Sequence, residues 1–442
     1  FRMEGRPLED GVICDYQGGD PFILPLPYRR HQVVDTVPIA PHSRLLFLPA
    51  VKTLYVEEYR MDSGDAKAPA VLYMHGYSSS PSSLGNIQLE LLRRGYAVIG
   101  VDMRNYPPNC FPDYVYDMKG CIRYIRAHAA ALKVDPDRLG CSGQSLGGNA
   151  TLVAAASASE PEMEGTVGGN LGVSSRLQAV TVGYGWSDIF QMGPDLMDEY
   201  KDFPEEVRQM KFANSDGPKA PLGEVIGFTG EGKGIKALRD YVEQGKEGTD
   251  SYMDQMVAKA RAASPVNHIG PDFPPTALFG GLGMVRVDIP YGQSLRTFEA
   301  CSRYGADCFQ FTNTNGEYGR SQPVVMGICQ FFDVYLKGEL PYHKTVAVPG
   351  STTVVEDYRD RQLGYAPFVK KDEAIYVAAE YLERFLGSRL EKETVSLEGR
   401  DYVDTGDLAE TEIGYRYYPD KDMCVLVPAP VWLINKPKCR TY

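Results

Sequence analysis

The residues best suited to chemistry lie in the run DRLGCSGQSLGGNATLVAAA, where positions 143–147 read Gly-Gln-Ser-Leu-Gly. A serine spaced this way between two glycines can sit on a strained turn with its hydroxyl exposed, because the missing side chains let a strand and a helix approach closely. The chemistry on offer is nucleophilic: Ser145 attacks an electrophilic carbon, given a group to take its proton and backbone donors to hold the charge developing on oxygen. The same composition also makes an ordinary Gly-rich turn, so the motif gains weight only from the elements around it.

Those elements can be read in order. Arg138 to Ser142 reads as a short buried strand and Asn149 to Ala156 as a small, apolar helix, giving strand, sharp turn, helix. Upstream, Ala70 to Met74 forms another buried strand ending in His75-Gly76-Tyr77, followed by a polar loop over 78–83 and a helix from Ile87 to Arg94 that Gly95 terminates. Tyr96 to Val101 is the next strand, and Val115, Met118, Ile122, Ile125 and Leu132 recur at helical spacing over 113–133. Further strands are expected at 179–183, 276–280 and 307–313, with helices over 292–305 and 322–337. Strands alternating with helices imply a parallel sheet.

Residues 1–32, rich in Gly, Pro and Asp, read as an extended arm. RLLFLPA at 44–50 and TLYVEEYRM at 53–61 read as a leading antiparallel pair. The Gly/Ser-rich stretch EGTVGGNLGVSSRLQ reads as a surface connection. Residues 190–262, rich in Met, Asp, Glu, Lys and Gly with two short amphipathic segments, read as a cap over the carboxyl ends of the strands, where open α/β sheets bind ligands.

Composition bounds the remaining possibilities. With 442 residues, 43% of them hydrophobic, the chain can bury a full core in one large domain plus something smaller. A net charge of -12 without a basic run argues against nucleic acid or an anionic membrane as partner, and no apolar stretch approaches the length of a membrane span. The nine cysteines are scattered without a C-x-x-C pair, which points to mostly buried thiols and no metal site; no cofactor is expected.

From about residue 45 to 340 the chain resembles the α/β-hydrolase superfamily, in particular the branch of feruloyl and acetyl esterases acting on plant cell-wall polymers. The motifs that carry the resemblance are LYMHG, VDPDRLGCSGQSLGG, GTVGGNLGVSSRLQAV and SPVNHIGPDFPPTALFGG. It implies an α/β-hydrolase domain over 33–345, a mostly parallel sheet flanked by helices with the cap inserted at about 190–262. It also makes Ser145 the nucleophile and the backbone N–H groups of Tyr77 and Leu146 the oxyanion hole. Gln144, His75 and Glu317 are the candidate substrate contacts, and His75 is better suited to shaping the oxyanion loop than to acting as a base.

The pattern departs from that family at the other two catalytic positions. Where the acid is expected, GGLGMVRVDIPYGQS places Met284, with Asp288 four residues later. Where the histidine is expected, TNTNGEYGRSQP places Tyr318, and the six histidines (31, 42, 75, 128, 268, 343) all lie elsewhere. A triad stripped of one member keeps about 10³ to 10⁴-fold catalysis over water. An unperturbed tyrosine, with a pKa near 10, is deprotonated in about one molecule in a thousand at pH 7. Ser145, Asp288 and Tyr318 are the candidate catalytic set, with Tyr318 a poor base unless perturbed; Glu317 is a neighbouring loop carboxylate able to take a proton, and Arg286 and Arg320 read as a solvated surface pair or, near the mouth, as cations suited to a carboxylate ligand.

After Pro349 the character changes to short β-like runs and amphipathic pieces, so residues 346–442 read as a small α+β domain. AIYVAAEYLERFLGSRLE echoes RDYVDTGDLAETEIGYRYY. This segment resembles the small repeat found at the N-terminus of copper amine oxidases and in many secreted Gram-positive proteins, which implies a packing module without copper and a secreted or cell-surface location. Three functions follow: hydrolysis of a small-molecule or plant-polymer carboxylic ester, ligand binding without catalysis, or lyase or transferase chemistry in which Ser145 only hydrogen-bonds the ligand.

Overall fold

The computed structural model describes residues 12–14, 22–24, 28–38, 51–60, 67–76, 80–104, 109–217, 221–228, 232–281, 289–313, 322–338, 340, 342–389, 392–410, 413–428 and 438–441. Eight strands in chain order build the main sheet: β1 (Tyr28–Pro38), β2 (Val51–Tyr59), β3 (Ala68–Met74), β4 (Ala97–Val101), β5 (Val134–Gln144), β6 (Ala179–Gly183), β7 (Thr276–Gly281) and β8 (Cys308–Asn313). They lie side by side as β8-β7-β6-β5-β3-β4-β2-β1, and Lys438–Thr441 adds a ninth strand, parallel, outside β8. The β1–β2 and β2–β4 pairings are antiparallel, and every other pairing is parallel. The leading antiparallel pair therefore joins 28–38 to 51–59. The run at 44–50 lies outside the described residues, and residues 28–32, expected in the arm, belong to the first strand.

The central strands are apolar on both faces, as parallel strands covered by helices must be. Ala70, Leu72 and Met74 of β3 join the core under helices α2 (Asp113–Ala127), α3 (Leu146–Ala156) and α9 (Tyr291–Tyr304). Val71 and Tyr73 face α1 (Asn86–Arg93) and α10 (Gln322–Phe332) on the other side. The crossover helix stops at His128, short of the expected 133, and the chain turns directly into β5.

The segment expected to carry two amphipathic pieces folds into five helices: α4 (Met192–Glu199), α5 (Glu205–Ser215), α6 (Pro221–Val225), α7 (Ile235–Glu243) and α8 (Ser251–Ala262). Short amphipathic helices escape notice because their apolar faces are only two turns long. Leu196, Val225, Ile235, Leu238 and Val257 are all buried. This insertion departs from the carboxyl end of β6 and leans on the loop after β4, with the Phe111 N–H donating to the Val225 carbonyl at 2.6 Å.

The stretch 164–178 runs along the surface as expected, exposed or half-buried up to Ser174, and is fastened there by buried cations. Arg123, 1% exposed, donates to the Glu164, Val167 and Gly169 carbonyls and to the Glu164 carboxylate. Arg176 is buried against Asp272 at 3.0 Å and Asp360 at 2.8 Å.

Asp360 belongs to the C-terminal β-rich part. One antiparallel sheet there contains β9 (Thr345–Ala347), β10 (Thr353–Glu356), β11 (Arg359–Gln362), β16 (Ile413–Tyr418) and β17 (Met423–Pro428), in the order β11-β10-β9-β17-β16. A second sheet contains β12 (Phe368–Lys371), β13 (Ala374–Ala378), β14 (Val395–Leu397) and β15 (Arg400–Asp404), with α11 (Ala379–Leu386) packed beside it. The sequence echo appears as β13 followed by α11 and β15 followed by the 3₁₀ turn Thr405–Glu410. Val346, Val355, Val425 and Val427 continue the core of the main sheet into this part.

Candidate active site

Ser145 stands between β5 and α3 with φ 56° and ψ −122°, a conformation L residues rarely adopt. Holding it costs about 1–3 kcal/mol and requires surroundings that over-determine it. The surroundings are the two glycines. A Cβ on Gly143 would stand 2.3 Å from the Gly147 carbonyl oxygen and from Thr151 Oγ1, and one on Gly147 would stand 2.2 Å from the Met74 carbonyl oxygen. Only at glycine can strand, turn and helix close this tightly.

The turn is also fastened by hydrogen bonds. The Ser145 N–H donates to the Gly183 carbonyl at the end of β6 (2.9 Å), and the Ser145 carbonyl accepts the Asn149 N–H (3.0 Å) as the helix begins. Ser145 itself is half-buried, as is Gln144 beside it. Cys141, four residues earlier, does not compete as nucleophile, because full burial pushes its thiol up to about 12.

Leu146 occupies the first position of α3, where helix geometry supplies no intrahelical acceptor for its N–H and the helix dipole favours negative charge. Its side chain is buried, so only the backbone can serve the site. Gly76 brings the loop after β3 against the turn, since a Cβ there would lie 3.4 Å from Ser145 Cβ and 3.3 Å from the Gln144 carbonyl oxygen. His75 is buried, and its Nδ1 lies 2.9 Å from the Gly76 carbonyl oxygen, an arrangement that shapes this loop.

Tyr77, Asp288, Glu317 and Tyr318 lie outside the described residues, as do Arg286 and Arg320. The described strands fix where their loops begin: β7 ends at Gly281 and β8 at Asn313, paired with each other, and Phe279 of β7 pairs with Gly183. Both loops thus leave from the same carboxyl edge as the turn, about 10 and 14 Å across the sheet from β5 at some 4.8 Å per strand.

The remaining histidines in the described residues have structural partners. His31 sits 3.0 Å from Glu58, His268 sits 2.7 Å from Glu160 and 2.8 Å from the Ala262 carbonyl oxygen, and His343 sits 2.9 Å from Asp357. His128 is exposed and stacks on Tyr124.

Two residues beside the site were not anticipated. Asn149, fully buried in α3, accepts from the Tyr114 hydroxyl (2.9 Å) and donates to the Trp186 and Ala263 carbonyls (3.0 and 3.1 Å). It ties the helix behind Ser145 to both ends of the cap insertion, and its one trace in the sequence is a lone amide in an otherwise apolar helix. Tyr184, directly after Gly183, is buried with φ 51°; nothing in the sequence marks that backbone.

Known proteins resemble parts of this chain. Residues 58–214 match the family described as BD-FAE. The chain is 28% identical over 102 residues to a protein of Mycobacterium tuberculosis named "Probable carboxylic ester hydrolase LipM", a match spanning 23% of either protein. Among solved structures, a truncated carbohydrate esterase from gut microbiota superposes with a TM-score of 0.50 at 19% identity, covering 74% of this chain and 98% of the other. A bifunctional GH43-CE protein of Bacteroides eggerthii gives 0.47 at 22% identity, covering 63% and 35%. The strand order, the strained serine between β5 and α3 and the first of these superpositions together identify the fold as that of the α/β-hydrolases.

Proposed function

We propose that this chain hydrolyses carboxylic esters with Ser145 as nucleophile. The observation that carries the reading is the geometry of the turn: a half-buried serine in a strained conformation that two sterically obligatory glycines enforce, at the start of an 11-residue helix. The match of 102 residues to a named ester hydrolase supports the same reaction.

In this mechanism Ser145 Oγ attacks the ester carbonyl, and the N–H groups of Leu146 and Tyr77 hold the tetrahedral oxyanion. The alcohol leaves with a proton, and water then attacks the acyl-serine and releases the acid. Tyr318 and Asp288, on the loops following β8 and β7, are the groups we assign to proton transfer and its support. The atypical pair makes turnover slower than that of a complete Ser-His-Asp set. We further assign a short or feruloyl acyl group on a plant-polymer alcohol, supported by the BD-FAE match over 58–214. A secreted or cell-surface location and a packing role for the C-terminal part rest on the repeat resemblance alone.

The decisive assay compares wild type with Ser145→Ala on p-nitrophenyl acetate, p-nitrophenyl butyrate and methyl ferulate. A loss of about tenfold or more in kcat/KM is expected, smaller than in a complete triad because members of a catalytic unit contribute non-additively. Equal rates would overturn the hydrolase reading and leave ligand binding as the alternative.

A further inference from the structure

Tyr184 holds its position under constraint from both sides. The carbonyl of its neighbour Gly183 accepts the Ser145 N–H at 2.9 Å, and the carbonyl of Trp186, two residues on, accepts from Asn149 at 3.0 Å. The segment 183–186 is therefore laced to the nucleophile turn and to the helix behind it. Between these fastenings Tyr184 takes φ 51°, which a bulky residue adopts only when the surroundings compel it. Such strain gathers at active sites and ligand clamps, so the outlier itself points to a role.

The placement of the ring is equally telling. Tyr184 is 5% exposed, yet among the described residues it joins neither of the two apolar cores of the main sheet. Its flanking residues Val182 and Trp186 both belong to the core under α3. The ring instead reaches across the strand ends, where a Cβ on Gly280 of β7 would lie 3.7 Å from Tyr184 Cε1. It spans from the end of β6 to the end of β7, next to the strand whose end carries Ser145.

We propose that the Tyr184 ring lies beneath the acyl group of an ester bound at Ser145 and sets the depth available to it. A bulky alcohol must remain on the solvent side, so the group directed at the strand ends is the acyl chain. Tyr184 is on this account a specificity-determining residue, and of the two acyl groups assigned above it selects the short one, since feruloyl is too long to fit above its ring. The inference rests on the ester-hydrolysis reading.

The test uses the full chain with Tyr184→Phe, which keeps the ring, and Tyr184→Gly, which removes it and tolerates a positive φ. The readout is the ratio of kcat/KM for p-nitrophenyl octanoate to that for p-nitrophenyl acetate. Tyr184→Gly is expected at least about tenfold above wild type and Tyr184→Phe well below Tyr184→Gly, since room for even one methylene in an apolar pocket is worth about that much. An unchanged ratio in folded, Ser145-dependent Tyr184→Gly overturns the proposal. Turnover that survives Ser145→Ala unchanged would instead refute the hydrolase reading. Binding of acetate and octanoate to wild type and Tyr184→Gly, followed by tryptophan emission, then decides the role of the ring: a gain confined to octanoate supports it, and no change in preference overturns it. Should Tyr184→Gly fail to fold, Tyr184→Ala and Tyr184→Leu replace it, with the ratio expected to rise as the side chain shrinks.

Discussion

A methyl group added to Gly147 would meet the carbonyl oxygens of Met74 at 2.2 Å and His75 at 2.5 Å, both backbone atoms that cannot swing aside. Gly147→Ala should therefore push α3 away from β3, cost about 1–3 kcal/mol, and misplace the Leu146 amide proposed for the oxyanion hole. Urea unfolding together with ester turnover checks this, and activity should fall by more than the loss of folded protein explains. Ser145 and its two glycines were legible in the sequence because their demand is steric and local: the motif and the turn are the same fact stated twice. Tyr184 was not legible, since its positive φ lies between Gly183 and Trp186, whose carbonyls accept from Ser145 and Asn149 far away in the chain. The proton-transfer candidates Asp288 and Tyr318 came from comparison with a family pattern, which places them on the loops after β7 and β8.

At the scale of elements, alternation of buried strands with crossover helices carried the main sheet, because a strand covered on both faces must be apolar throughout. The cap and the fastening of the stretch 164–178 were harder to read, since their order depends on buried charges. Arg176 is the clearest case: 2% exposed, it donates to Asp272 and Asp360 from two different parts of the chain. Arg176→Met should cost about 3–5 kcal/mol, because it strands Asp272 as a buried, unpaired carboxylate. Asp360 adds a pH dependence. Burial alone would raise its carboxyl, but the Arg176 guanidinium, the Ser174 hydroxyl and Arg126 outweigh that and hold it below the ordinary carboxylate value. A carboxyl lowered in the folded state stabilises above the pH where its unfolded form titrates, and that contribution is lost as the pH falls through the lowered value. Thermal melts of wild type and Asp360→Asn should accordingly differ at pH 7 and converge in the range below about pH 4. A constant gap at every pH would contradict this assignment.

For the molecule as a whole, the edge of the main sheet is the telling place. Lys438–Thr441 pairs with β8 in parallel, Phe309 to Lys438 through Thr312 to Thr441. Removing residues 429–442 would leave the outward-facing backbone groups of β8 unpaired while its bonds to β7 remain, and exposed edges recruit other strands. Gel filtration of the shortened chain should show self-association that wild type at equal concentration lacks. The same strand alters what the C-terminal part is. Residues 345–428 leave the hydrolase unit after α10 and the chain comes back to its sheet at Lys438, so both ends of that part are moored to one scaffold. A parcel tied at both ends cannot be shed by cutting a single string: one proteolytic nick on either side leaves it attached, and heat should dissolve parcel and scaffold in one calorimetric peak.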